Sequence, residues 1–357
     1  MNFDIKEPRK GHKHKKKEDK LLYLALFFLI LSITLIVIQV SIPSKKNFPK
    51  KQSTENVEKP KEKLKIIDEE SNERPIAIMI DNNVGNNLHA GLQYSYINYE
   101  IIVEGGLTRI MALYKDREVS LIGPVRSSRH YFLDYALESD SIYTHFGWSP
   151  YAERDIKALN INNINGLTDS TPFWRDSNIS APHNVFTSTD KIRNYSTKKN
   201  YSNTTSNWKL LNYSTTNINL NEVDSSNVFL ANKIDITYSN YQQRGYTYDS
   251  VNQYYLRSMN GKAHLDKETQ NQLNFKNIII AKVNNYNLDS AGRQDLTTIG
   301  SGTGYYITNG YALPINWTKS SRSAKTIYTY SNGSEINVND GNTFIQIVPL
   351  TSNITIE

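Results

Sequence analysis

The chain contains no cysteine. That excludes disulfides, thiolate metal sites and a cysteine nucleophile, and it excludes anchoring through a lipid-modified cysteine. The common catalytic signatures are absent too. No HExxH, GxSxG or GxxxxGK[ST] occurs in the 357 residues, so zinc-protease, serine-hydrolase and P-loop readings have no support. No internal repeat is present. An excess of positive charge is missing from most of the chain. The formal charge is +6, but residues 1–65 hold 16 Lys+Arg against 7 Asp+Glu, while the remainder holds 25 against 28. The basicity belongs to the front end. The rest carries no positive field to steer a polyanion, so nucleic acid is not an expected partner.

What the chain does have is one long apolar run, Leu21 to Ile42. At about 1.5 Å rise per residue, a helix of that length spans a bilayer core of roughly 30 Å. Its polar interruptions are Ser32, Thr34, Gln39 and Ser41, none charged. A cleaved signal peptide has a shorter apolar region, about 7–15 residues, ending in a small-x-small site. None follows here, so the run reads as a retained signal anchor. Lys10, Lys13, Lys15, Lys16, Lys17 and Lys20 crowd its N-terminal flank. By the positive-inside rule, residues 1–20 form a basic cytoplasmic tail, and the bulk of the chain lies outside the plasma membrane. Residues 43–73, rich in Pro, Lys, Glu, Ser and Asn, read as an extracytoplasmic stalk.

Two textures follow. Over 74–215, apolar runs alternate with helical patterns: Ile76–Ile80, Tyr99–Val103, Thr108–Tyr114, Val119–Ile122 and Ser141–Phe146 as strands, and helices near Tyr131–Glu138, at Ala152–Leu159 with Ser149 and Pro150 as its start signal, and after Thr189. This predicts an α/β domain with a mixed sheet. Asn200–Asn219 is rich in Asn, Ser and Thr and reads as a linker. Over 220–357, short β-branched and aromatic runs separated by Asn-Gly at 260–261, 309–310 and 332–333 predict a mainly β domain with tight hairpins. Gly300-Ser-Gly-Thr-Gly304 reads as a loop.

The central stretch is Val119-Ser-Leu-Ile-Gly-Pro-Val-Arg-Ser-Ser-Arg-His-Tyr131. A strand broken by Gly123-Pro124 would hand over to a helix capped by Ser127 or Ser128. Arg126 and Arg129 would then add planar donors for phosphate or carboxylate at a helix start. The competing reading pairs both with carboxylates of the same chain. In an open α/β sheet, ligands lie at the strand C-termini. Asp81 with Asn82, Glu104, and the nearby Arg109 fall there. Carboxylates beside arginines can position a ligand, hold Mg²⁺ or move protons, or else form a structural ion-pair network. His145, in a strand, reads first as a hydrogen-bonded core residue. His183, in Pro182-His183-Asn184, lies in a long loop region.

Taken together, several blocks resemble the YerB-like family of exported cell-envelope lipoproteins. They are Arg74-Pro-Ile-Ala-Ile-Met-Ile-Asp-Asn82, Tyr99-Glu-Ile-Ile-Val-Glu-Gly-Gly-Leu-Thr-Arg109, Gly123-Pro-Val-Arg-Ser-Ser-Arg129, Phe173-Trp-Arg-Asp176 and Ala181-Pro-His-Asn184. Gly300–Gly310 and Asn316-Trp-Thr-Lys319 resemble its C-terminal domain. The resemblance implies two domains and an extracytoplasmic location, and assigns no activity. The one departure is that this chain has no lipobox cysteine. The expectation is a membrane-anchored binding or scaffold protein for an acidic wall component or lipid-linked phosphate. Arg109, Arg126 and Arg129 would contact the anion with Ser127, and Asp81 and Glu104 would orient them. Asn82, His183 and Asn184 complete the candidate set. The alternatives are an envelope enzyme using Asp81 or Glu104 with His183, and a protein-binding module.

Overall fold

The computed structural model describes Lys20, residues 22–33 and residues 62–357. The chain divides into two compact units, Met1–Lys61 and Glu62–Glu357. In the first, residues 22–33 are helical. Among the described residues no helix is long and apolar enough to cross a membrane. The second half of the expected span, the tail up to 19, and most of the stalk lie outside the described residues.

In the second unit, strands form where apolar runs meet turn residues. The longer ones are β1 Ile76–Asp81, β2 Ile97–Ile102, β3 Thr108–Tyr114, β4 Ile142–His145, β5 Asn163–Asn165, β6 Lys233–Ser239, β7 Gln242–Asp249, β8 Tyr254–Met259, β9 Asn277–Val283, β10 Gly300–Thr308, β11 Tyr311–Lys319, β12 Ile327–Thr329, β13 Thr343–Pro349 and β14 Asn353–Ile356. The helices are α1 Phe132–Glu138, α2 Pro150–Ala158 and α3 Thr189–Lys198. Every residue of β1, β2 and β3 is buried, as expected for strands covered on both faces.

Among the described residues, an eleven-stranded sheet runs β12-β11-β10-β9-β13-β2-β3-β1-β4-β5, with Phe229–Leu230 added to β11. It is mixed: β1 pairs antiparallel with β3 and parallel with β4. The α/β and β-rich textures separate as predicted, yet one sheet joins them. β13, near the chain end, lies between β2 and β9 and is parallel to both. A second, antiparallel sheet runs Lys262–Ala263, β8, β7, β6, β14. The period-two alternation of β2 assigns its two faces. Tyr99 stacks on Tyr135 of α1, with ring centroids 4.8 Å apart, while Glu100 points to the second sheet.

Several local expectations hold. Ser149 caps α2 by accepting from the Ala152 N–H, with Pro150 in the first turn. Asn260-Gly261 and Asn309-Gly310, all at positive φ, make the two-residue hairpins β8 to Lys262–Ala263 and β10 to β11. Others do not. Val119–Ile122 is no strand. The segment meets residues 187–189 at separate points, the isolated Ile122–Thr187 bridge and the Val119–Thr189 hydrogen bonds. Its start is held by Thr189 and its end by Gly123-Pro124, too short a span for a ladder. Neither Ser127 nor Ser128 caps α1, which begins at Phe132 with no side-chain cap. The Ser127 hydroxyl donates to Phe146 O, and Ser128 accepts from the Tyr143 hydroxyl. Gly300–Gly304 is strand, not loop. A Cβ at Gly304 would meet Ile280 O at 1.8 Å, so the glycines there allow backbone to pack on backbone. Residues 200–219 are tied in as well: Trp208, Leu210 and Leu211 are buried, and Asn212–Ser214 pairs with Asn337–Asn339. The last part of the expected stalk is tied in too: Asp340 accepts from the Lys65 and Ile66 N–H groups, and Ile67 is core.

Between the sheets lies a buried ionic nucleus. Glu100, Arg244 and Arg257 are each 0 % exposed. Glu100 Oε1 accepts from Arg244 Nε at 2.6 Å, Asn82 Nδ2 at 2.7 Å and Thr108 Oγ1 at 2.8 Å. Oε2 accepts from Arg257 Nη2 at 2.6 Å and Gln346 Nε2 at 3.1 Å. Burial pushes the Glu100 carboxyl up, but the two guanidinium groups and these donors outweigh it and hold it at about 2. Removing the carboxylate would strand two buried cations. Glu100→Ala should therefore cost about 3–5 kcal/mol, measured by urea denaturation of the 62–357 unit. A cost below about 1 kcal/mol, the size of an exposed pair, would show that the nucleus contributes little.

Candidate functional site

The sheet topology brings the charged groups to one end. β1 and β2 both run antiparallel to β3, so their C-termini lie beside the start of β3. Asp81 ends β1 and pairs in register with Arg109 on β3. Glu104 follows β2 in the turn Glu104–Gly106, where Gly105 and Gly106 take φ of 67° and 70°. The extended segment after Gly123-Pro124 lies against this end: Arg126 N donates to Met79 O, and Asp81 N to Pro124 O. Finally, the ribbon Trp174–Arg175 with Val185–Phe186 folds a loop back so that His183 reaches Asp81.

Within this group the carboxylates are engaged. Glu104 accepts from Arg129 in a bidentate pair, Nε to Oε1 at 2.5 Å and Nη2 to Oε2 at 2.7 Å. Burial raises the Glu104 carboxyl, and Arg129 more than offsets it, leaving it below the usual range. Asp81, 2 % exposed, takes His183 Nδ1 at 2.7 Å and lies 3.0 Å from Arg126 Nε, all on Oδ2. The Arg126 contact is close but not aligned as a hydrogen bond. Arg109 donates to Ser127 O; burial, then Arg129, lower it to about 10. The Asn82 amide belongs to the Glu100 nucleus, donating to Glu100 and Thr108. Asn184 Oδ1 accepts from Arg175 Nη1 at 2.6 Å.

Two hollows flank this network. One, about 280 Å³, is lined by Arg126, Ser127, Phe146, Trp148, Leu167 and Arg175, among others, with no Asp or Glu in its wall. Arg109, Arg129, Asp81 and Glu104 do not line it. Arg175 was not anticipated. It is exposed, its guanidinium lies 5.0 Å over the Phe146 ring, and its polar partner is the neutral Asn184. No local spacing marks it, because only the returning ribbon carries it to Arg126. The other hollow, about 490 Å³, is lined by Asn83, Leu88, Asn178, Ile179, Ser180 and His183, among others. Asp81 stands between them, touching Arg126 of the first and His183 of the second.

A hydrogen-bond chain approaches Asp81 from behind. Arginine only donates, so His264 Nδ1 accepts from Arg257 Nη1. His264 Nε2 must then donate to His89 Nδ1 at 2.8 Å, and His89 Nε2 to the Asp81 carbonyl at 2.6 Å. Both rings are neutral in this arrangement, and burial lowers His89 to about 4. His145 is a buried core residue, hydrogen-bonded to Gly147 O and Asn163, and burial lowers it likewise to about 4. Trp317 and Lys319 are buried too, Lys319 on Glu138. Among the described residues no group of three or more His, Asp or Glu side chains is placed to hold a metal ion.

Two family models, described as the N-terminal and C-terminal domains of a protein of unknown function (DUF3048), match residues 64–202 and 234–345. The chain belongs to the DUF3048 family. It is similar to "Putative lipoprotein YerB" of Bacillus subtilis (strain 168), 29% identical over 290 residues, 80% of this chain and 84% of that one. It is also similar to the crystal structure of YerB protein from Bacillus subtilis, with a TM-score of 0.71 and 27% identity, covering 83% of this chain and 100% of that chain. Both DUF3048 matches therefore fall within the Glu62–Glu357 unit, and the shared sheet spans them.

Three buried histidines, His89, His145 and His264, are depressed and set a pH dependence. Unfolded, they titrate near the ordinary value of 6.5; folded, His89 and His145 titrate near 4 and burial holds His264 well below the ordinary value. Between those values the unfolded state binds more protons, so stability is full above about 6.5 and falls as pH drops towards 4, by up to about 1.4 kcal/mol per pH unit for each ring. Urea denaturation at pH 7, 6 and 5 should show this loss, and His145→Gln should flatten it by up to one ring's share. An unchanged slope would mean that His145 takes up its proton in the native state.

Proposed function

We propose that this chain is a membrane-anchored, extracytoplasmic cell-envelope protein that binds an anionic wall component or lipid-linked phosphate in the Arg126–Arg175 hollow. One observation carries the reading: two guanidinium groups line a concave site whose wall holds no carboxylate. Arg175 brings its charge there with only a neutral amide as hydrogen-bond partner. Its planar donors suit phosphate oxygens, and Phe146 and Trp148 offer flat apolar surface beside them. Arg109 and Arg129 sit behind, held by Ser127 O and Glu104, and contribute field rather than contact. The name of the similar Bacillus protein supports an envelope location. This chain has no cysteine to carry a lipid, so the apolar run Leu21–Ile42 with its basic flank takes over the anchoring, as a single-pass signal anchor.

A second reading, an envelope phosphoryl or glycosyl transferase or hydrolase, draws on a different observation. His183 is held by a buried carboxylate through Nδ1, the arrangement that orients a histidine for proton transfer. In that reading His183 moves the proton and Asp81 orients it.

Pyrophosphate should raise the melting temperature, by the equivalent of about 2.7 kcal/mol at a hundredfold excess over Kd. Arg175→Ala should remove this shift without lowering the unliganded melting temperature. Stabilisation that survives in Arg175→Ala would refute the site. For the anchor, the full chain should stay with membranes through alkaline extraction, and a variant lacking 21–42 should not. Release of the full chain by alkali would rule out a spanning segment.

A further inference from the structure

The two hollows share a boundary. Pro182 lines the smaller and His183, the next residue, lines the larger. Arg126 and His183 meet at the same Asp81 oxygen. The walls differ in chemistry. The smaller presents guanidinium groups and aromatic faces. The larger mixes Val84, Leu88 and Ile179 with Asn83, Ser180 and His183. Among the described residues, the side chains of Asn83 and Ser180 have no hydrogen-bond partner in the chain, and neither has His183 Nε2.

The tautomer of His183 follows from its partner. A carboxylate only accepts, so Nδ1 carries the hydrogen it gives to Asp81. In the neutral ring Nε2 is then an acceptor. It calls for a donor such as a hydroxyl. Apolar side chains interspersed with short amide and hydroxyl groups suit the face and edge of a sugar ring, whose C–H groups pack and whose hydroxyls bond. Adjacent cations suit a phosphate on the same molecule.

We propose that the two hollows form one bipartite site for a phosphorylated sugar. The phosphate lies between Arg126 and Arg175, and the ring occupies the larger hollow with a hydroxyl donating to His183 Nε2. This rests on the anion-binding reading above and names its ligand class. His183 and Arg126 both lie on Asp81, so the groups that hold the ring and the phosphate are positioned by one buried carboxylate.

Calorimetric titration of the full chain in detergent separates the two readings, with inorganic phosphate and glucose 1-phosphate as probes. Glucose 1-phosphate should bind at least tenfold more tightly than phosphate. His183→Asn, which also disturbs Asp81 and through it Arg126, should weaken glucose 1-phosphate about tenfold more than it weakens phosphate. Asn83→Ala/Ser180→Ala, which leaves the Asp81 contacts untouched, should do the same in part, and near-UV circular dichroism should match the wild type for both variants. Equal affinity for the two probes, or equal weakening of both in His183→Asn, would overturn the bipartite site and leave the anion site standing. Binding of neither probe would overturn both.

Discussion

Glu100 is a fully buried carboxylate between the two sheets of the Glu62–Glu357 unit, with five donors on its two oxygens. Its partners come from distant parts of the chain: Asn82 and Thr108 from the first half, Arg244, Arg257 and Gln346 from the second. A buried ion pair often adds little net stability over an apolar packing of the same volume, but a broken one is severely penalised. The consequence is register. β7 and β8 must present their arginines to β2, and β13 must place Gln346 beside Glu100, or charges are left buried without partners. Phe344 on the same face of β13 lies 4.8 Å from the Arg257 guanidinium and completes the contact.

The candidate site inherits its rigidity from that nucleus. The chain Arg257 to His264 to His89 ends on the Asp81 carbonyl, and Asn82, the next residue, is bonded to Glu100 itself. Asp81 is therefore fixed from the core side while its carboxylate faces Arg126 and His183. A carboxylate held in this way positions the groups around it more precisely than a loop residue does. It also explains why Asp81 and Glu104 do not stand open. Each is already engaged by an arginine, and the cationic side of the cluster is what reaches the smaller hollow.

Much of the secondary structure was readable because its causes are local. The apolar run from Ile76 to Ile80, the Ser149-Pro150 start of α2 and the Asn-Gly turns each act within a few residues. The failures have an equally physical origin. Val119–Ile122 has strand-like residues, but it meets the 185–189 segment at separate points and forms no continuous ladder. Gly300–Gly304 has loop-like residues but needs bare backbone to pass Ile280. Ser127 and Ser128 have capping side chains, yet each finds a better partner across the fold, Phe146 O and the Tyr143 hydroxyl. The site set was legible in part: residues at the ends of β1 and β2 do gather at one end of the sheet with Arg109, Arg126 and Arg129. Arg175 was not, because its relevance lies in where the ribbon ends.

Composition and pattern by themselves determined the absence of thiol chemistry, the basic front end with its apolar run, the division into an α/β and a β-rich part, and the turns. These depend on residue type and near-neighbour spacing, which the linear order states directly. The tertiary structure alone decided who partners whom. It put β13 between β2 and β9, gave Arg129 to Glu104, set His183 and Arg126 on one oxygen of Asp81, and left Arg175 with a neutral amide. Charged side chains pair by distance in space, and a separation of a hundred residues along the chain carries no information about that distance until the backbone has folded.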